Sequence, residues 1–130
     1  MTKKATSDAW PQEFEASVKL GHEGQADRAC VLLEQLAQTA DTDKRRALAL
    51  RMKGGFLLHT LNRLEDAEDA FRRVLQIDTD YERASIGLFH ALWSQGRFDD
   101  AFEEAKRFVL LKPSKEYRRI VAEIMEGLEE

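Results

Sequence analysis

A short segment occurs three times along this chain, and its repetition constrains the fold more than any other feature. Each copy begins with glycine or asparagine and ends with alanine: Gly24–Ala29, Asn62–Ala67 and Gly96–Ala101. Ala67 and Ala101 are 34 residues apart, whereas Ala29 and Ala67 are 38 apart. We expect the four extra residues to lie in the turn Thr39–Asp43. Recurrence at such a spacing indicates a repeated supersecondary unit.

Each copy opens a helix, as the stretch Gly96–Pro113 shows most clearly. Its apolar residues recur every three or four positions, and its acidic residues precede its basic ones, which suits the helix dipole. Glycine before it and proline after it are helix boundaries. The same reading predicts seven helices, the first starting at Ser7 or Asp8. The sequence Thr79–Glu82 has the form of a capping box that opens the fifth helix, and Ser114 is predicted to cap the seventh. The remaining predicted spans are about Gln25–Thr39, Asp43–Leu61 and Leu64–Ile77.

Composition limits the classes of partner and the cellular compartment. The chain has 130 residues, enough for one domain, and carries 20 basic against 24 acidic residues. That balance argues against nonspecific nucleic-acid binding, because no excess of positive charge is available to neutralise phosphates. Cys30 is the single cysteine, which excludes an internal disulfide and a multi-cysteine zinc site. No signal peptide or membrane-spanning run is apparent, so a cytoplasmic protein without membrane contact is expected.

No combination of residues in this sequence favours catalysis. The three histidines, His22, His59 and His90, have no neighbouring ligands at metal-binding spacing, although His59 and His90 fall on adjacent predicted helices. Cys30 lies on an apolar helix face and is predicted to be a buried, unreactive thiol. The paired carboxylates that begin the repeated helices, such as Glu103 and Glu104, are predicted to lie on a solvated face. We therefore predict a protein that is not an enzyme and needs no cofactor or metal.

A helix–turn–helix unit with a 34-residue period resembles the tetratricopeptide repeat, or TPR. The matching residues are small where two helices cross and large beside the crossing. In the second unit they are Gly55, Leu58, Ala67, Phe71 and Val74. In the third unit they are Leu88, Leu92, Ala101 and Pro113, with Phe89 in place of the family's glycine. The family's tryptophan is absent, since Arg51 and Ser85 occupy its positions.

The resemblance implies an all-α fold. We expect an α-solenoid of three TPR helix–turn–helix units, at about 10–43, 48–81 and 82–113, wound as a right-handed superhelix of seven helices. A capping helix at 114–128 is expected to cover the end of the stack with its apolar face. The whole would form one domain, 9–130, after a flexible tail at 1–8.

The resemblance also implies a binding surface, because the first helix of each unit in this family lines a concave groove. The groove positions are Phe14, Val18, Met52, Lys53, Phe56, His59, Arg83, Ile86, His90, Trp93 and Tyr117. Their apolar and aromatic character suits a protein or peptide partner, with Lys53 and Arg83 available for a carboxylate. Phe14 and Val18 replace the Lys and Asn that clamp chaperone tails, which argues against that ligand. The pattern leaves open whether the aromatic residues are partner anchors or core.

Two non-catalytic functions follow from this resemblance. The first is an adaptor or chaperone-like module that holds a partner segment in the groove, without distinction between a secretion chaperone, an immunity protein and an assembly subunit. The alternative is a structural subunit that forms a homo-oligomer through the groove or through the open end of the first repeat, where Trp10 and Phe14 lie.

Overall fold

Seven helices and no strand make up the part of the chain that the computed structural model describes, which is the backbone of residues 2–129 and the side chains of residues 9–128. The predicted all-α fold is confirmed. The helices are α1 (Thr2–His22), α2 (Ala26–Thr39), α3 (Asp43–Gly55), α4 (Leu64–Ile77), α5 (Glu82–Ser94), α6 (Phe98–Leu111) and α7 (Lys115–Glu129). Between α3 and α4, the chain continues through a π-helical segment, Phe56–Thr60.

The three aligned turns have the same backbone conformation. Gly24, Asn62 and Gly96 all lie in the left-handed region, with φ of 94°, 53° and 76°. Glycine, and less readily asparagine, adopts this conformation without a large steric cost, which explains why these residue types recur there. The helix that follows each turn, α2, α4 or α6, is 14 residues long. The alignment of the three units on these turns is therefore confirmed.

The four extra residues of the second unit do not lie in the turn Thr39–Asp43, so that prediction is wrong. The turn before α3 is one residue shorter than the turn before α5. The continuous helical run from Asp43 to Thr60 instead exceeds α5 by five residues. The run ends in a widened turn, in which the N–H of Leu61 donates to the carbonyl of Phe56 at 3.0 Å. A π turn accommodates an additional residue inside a helix. The residue types of this segment do not predict such a turn.

The beginnings of two helices differ from prediction. The first helix begins at Thr2 rather than Ser7 or Asp8, and no glycine or proline precedes those residues to stop it. The predicted tail at 1–8 lies outside the described side chains. The capping box is also wrong, because Tyr81 is the residue before α5 and no side chain caps that helix. Thr79 lies in the preceding turn, outside the reach of a helix cap.

The cap predicted for α7 is confirmed, and it joins two helices. The hydroxyl oxygen of Ser114 accepts the N–H of Tyr117 at 3.0 Å. The same hydroxyl donates to Glu82 Oε2 at 2.5 Å. Glu82, which the capping-box prediction assigned to its own helix, thus holds the start of α7 beside the start of α5.

Aromatic rings packed on glycine backbones hold neighbouring units together. The ring of Phe71 in α4 lies between Gly54 of α3 and Gly87 of α5, where an added Cβ would approach it to 2.8 and 2.5 Å. Gly55 has no such neighbour, so the residue that allows close packing is Gly54, one position before the one matched from the sequence. In the third unit it is Gly87 rather than the position of Phe89. The fixed spacing of the family pattern misses these glycines because the number of residues between the helix crossing and the following turn differs between units.

A buried polar network attaches α7 to the third unit. The Tyr117 hydroxyl lies 2.6 Å from Ser85 Oγ. The Ser85 hydroxyl in turn donates to Glu104 Oε2 at 2.6 Å. Arg107 pairs with the same carboxylate at 2.6 Å. Glu104 is buried, which corrects the prediction of a solvated acidic face. Burial raises the pKa of Tyr117 above its usual range, so the phenol remains protonated and able to bond to Ser85.

Candidate partner-binding surface

Most of the predicted groove residues lie on the helices that begin the three units, α1, α3 and α5, and a cleft lies between the first two. Phe56 and His59 lie in the π-helical segment, and Tyr117 lies in α7. Phe14 and Val18 of α1 line this cleft together with Met52 of α3. All three side chains are partly buried against the core and partly accessible. The cleft has a volume of about 800 Å³. The structure thus brings together three of the predicted residues from two different units.

Polar side chains at the same cleft escaped the sequence analysis. Lys19 and Arg51 line it together with the carboxylates of Glu15 and Glu23, and neither cation forms an ion pair with another described residue. Arg51 donates from Nε to the Tyr81 hydroxyl at 3.2 Å, which orients its guanidinium. Leu48 adds apolar surface one helical turn before Met52. This four-residue spacing was the signal that would have identified Leu48, and Arg51 lies at one of the family positions where tryptophan is missing.

Two predicted groove residues are core residues in this structure. Phe56 is 4% exposed, and its ring packs on the backbone of Gly21 and edge-on against His22. Tyr117 is 1% exposed and contacts the ring of Phe89. Both join first helices of neighbouring units, so a partner would have to displace packed helices to reach them. For these two aromatic residues, the structure favours a place in the core over a role as partner anchors.

Lys53 is held on the opposite side of α3 from the cleft. Its ammonium group lies 2.8 Å from Glu34 of α2, and Arg73 of α4 forms two hydrogen bonds with the same carboxylate, at 2.7 and 2.9 Å. The hydrogen bonds from Arg73, and secondarily those from Lys53, lower the pKa of Glu34 to about 2. The Glu34 carboxylate therefore joins α2, α3 and α4, and the charge of Lys53 is already compensated.

The predicted groove residues on α5 form a second, more aromatic area. Trp93 is partly buried, stacks on Phe89 at 5.8 Å and meets Phe98 edge-on at 4.5 Å. Ile86 is partly buried and Arg83 is exposed. Trp93 is thus fixed by its neighbours while one part of its indole remains accessible, an arrangement that suits a rigid aromatic contact.

His59 and His90 are near enough to interact, as their places on adjacent helices suggested. His90 is partly buried, and burial lowers the pKa of its imidazole. The charge of His59 lowers that pKa further, while Glu116 acts in the opposite sense. Burial and the charge of His59 both favour a neutral imidazole at pH 7. A neutral imidazole can donate one hydrogen bond and accept another at this surface.

Cys30 lies in the core, as predicted from its place on an apolar helix face. Cys30 is buried, and burial raises the pKa of its thiol, so the reactive thiolate is disfavoured. No group of three or more His, Cys, Asp or Glu side chains is arranged to hold a metal ion between residues 9 and 128.

Trp10, predicted at the open end of the first repeat, is buried and donates from Nε1 to the carbonyl of Leu36 at 3.0 Å.

The comparison with protein families agrees with this architecture. A family profile described as tetratricopeptide repeat matches residues 58–124, which is more than half of the chain. The chain belongs to the tetratricopeptide repeat family, whose repeats generally mediate protein–protein interaction and typically form non-catalytic modules. No curated protein matches the chain. Among the described helices, none is both long and apolar enough to cross a membrane.

Proposed function

We propose that this protein is a non-catalytic adaptor or chaperone-like module that binds a segment of a partner protein on the face formed by α1, α3 and α5. The observation that supports this most directly is the cleft where Phe14, Val18 and Met52 converge from two units. Apolar side chains that are partly exposed at such a cleft provide contact area for a partner without a large rearrangement. A cytoplasmic location is part of the same proposal.

The chemistry of the cleft favours a particular kind of segment. Its apolar centre suits one or two Leu, Met or Phe side chains of an amphipathic helix or an extended peptide. Arg51 at its edge, held by Tyr81, suits an acidic side chain or a carboxyl terminus of the same segment. Trp93 and Ile86 extend the surface along α5 for a longer segment. Arg51 thereby takes the part that sequence analysis assigned to Lys53.

Affinity purification with matched baits tests this proposal. We expect Met52→Asp to abolish capture of a partner from the native cell, because a carboxylate would be placed in the apolar centre of the cleft. Val31→Asp is the control, since Val31 is an exposed apolar residue of α2 outside the cleft. Both variants should keep the helical circular dichroism of the wild type. A partner that remains bound to Met52→Asp would contradict the proposal, and so would one that is lost equally with Val31→Asp.

A further inference from the structure

The end of the stack formed by α6 and α7 carries exposed apolar side chains on both helices. Ser114 and Tyr117 bond to residues in the first turn of α5, so α7 runs alongside α5 in the same direction. The ring of Phe89 in α5 contacts both Tyr117 of α7 and Phe102 of α6, so the three helices meet at this ring. The exposed apolar side chains at this end are Phe98 and Phe102 of α6, and Val121, Met125 and Leu128 of α7. We call these five residues the α7 patch.

The predicted capping helix α7 covers the end of the stack with only part of its apolar face. Tyr117 and Ile120 are buried against the third unit, but Met125 and Leu128 are 54% and 76% exposed. At the equivalent place in the first unit, Ala26 and Cys30 of α2 are buried beneath α3 and its π segment. Phe98 and Phe102 occupy these positions in α6, where they are larger and less covered. Clustered apolar residues of this size on a surface indicate an interaction site.

The charges along α7 point to a specific occupant. Residues 115–119 include three basic residues and one acidic residue, whereas residues 120–129 include three acidic residues and no basic one. This order opposes the helix dipole, which favours acidic residues first and basic residues last. Among the charged side chains, Lys115, Arg118, Glu123 and Glu126 form no ion pair within the described part of the chain. Apart from the pair between Arg119 and Glu116, this charge distribution therefore does not stabilise α7 itself.

We propose that the α7 patch is the interface of a homodimer in which two α7 helices pack antiparallel about a twofold axis. In that arrangement the basic first half of each helix faces the acidic second half of the other, so Arg118 and Glu126 become mutual partners. Val121 and Met125 of the two copies meet near the axis. A twofold interface requires a surface that is complementary to itself, and α7 has this property in both charge and apolar pattern.

Charge reversal provides the sharpest test, with sedimentation velocity over a wide range of concentration as the readout. Arg118→Glu and Glu126→Arg are each expected to weaken the dimer by about tenfold or more, because two symmetric attractions become repulsions. The double variant Arg118→Glu/Glu126→Arg restores complementarity and should dimerise as the wild type does. An equimolar mixture of the two single variants should form heterodimers for the same reason.

Apolar variants separate the α7 patch from general surface effects. Met125→Glu should make the protein monomeric, whereas Leu110→Glu, at an exposed apolar site of α6 outside the patch, should leave the dimer intact. Retained helical circular dichroism in both confirms folding. A wild type that remains monomeric at about 1 mM would overturn the proposal. So would a dimer that survives Met125→Glu, or single reversals that are not rescued in the mixture.

Discussion

The ring of Phe71 lies directly against the backbone of Gly87, with only 2.5 Å between its nearest carbons and the place where a Cβ atom would be. Gly54 also lies against this ring, 2.8 Å from the place of its own Cβ atom, and the ring is buried. This contact connects the second helix of the middle unit with the first helix of the next one. It therefore couples the stability of the middle and third units.

Gly87→Ala is expected to lower the free energy of unfolding by about 1–3 kcal/mol, because the added methyl group overpacks the contact with Phe71. The gain in helix propensity, about 1 kcal/mol, offsets the loss only partly. Gly55→Ala is the control, since no atom lies within 4 Å of its added Cβ. That variant should be more stable by about 0.5–1 kcal/mol. Urea denaturation measures both, and equal effects would contradict the packing argument.

Tyr117→Phe is expected to destabilise the protein by about 1–3 kcal/mol, because it removes a buried hydroxyl that bonds to Ser85 at 2.6 Å. Tyr81→Phe removes a longer, partly exposed bond to Arg51 and should cost less. Urea denaturation with circular dichroism compares the two variants. A larger effect at Tyr81 would show that the polar network does not hold α7 in place.

Acid should weaken the contact between α2, α3 and α4 through Glu34. Its pKa in the folded protein, about 2, lies below its usual 4.5, so Glu34 contributes stability above pH 4.5 that is lost as the pH falls toward 2. We expect a loss on the order of 1–2 kcal/mol, since solvent screening reduces the contribution of these partly exposed charges. The difference in unfolding free energy between wild type and Glu34→Gln, measured from pH 7 to pH 3, should shrink accordingly. A constant difference would contradict this assignment.

His90 should make the protein less stable in mildly acidic solution. Burial, and then the charge of His59, lowers the pKa of His90 below its usual 6.5, so protonation favours the unfolded chain. Stability is unaffected well above pH 6.5 and falls as the pH drops through that value. His90→Gln should remove this loss, and His59→Gln should reduce it. Thermal denaturation at pH 7.5 and 5.5 tests both variants, and an unchanged pH dependence in His90→Gln would disprove the role of this imidazole.

Much of the candidate site could be named from sequence, but which of the named residues are accessible could not. Phe14, Val18 and Met52 were identified by repeat position and do converge at a cleft. Phe56 and Tyr117 were chosen by the same rule and are buried. The rule gives the face of a helix on which a residue lies, whereas accessibility depends on the residue opposite. Gly21 leaves space that Phe56 fills, and Ser85, at a tryptophan position, leaves a bonding partner for Tyr117.

The sequence by itself determined the helices and their repetition, because periodicity of apolar residues and left-handed turn residues such as Gly24, Asn62 and Gly96 are local properties. Only the tertiary structure decided which side chains are buried. Glu104 resembles its acidic neighbours in the sequence, and it is buried where Ser85 of α5 and Arg107 of the next turn bond to its carboxylate. Such compensation depends on contacts between residues far apart in the chain, which no local pattern contains.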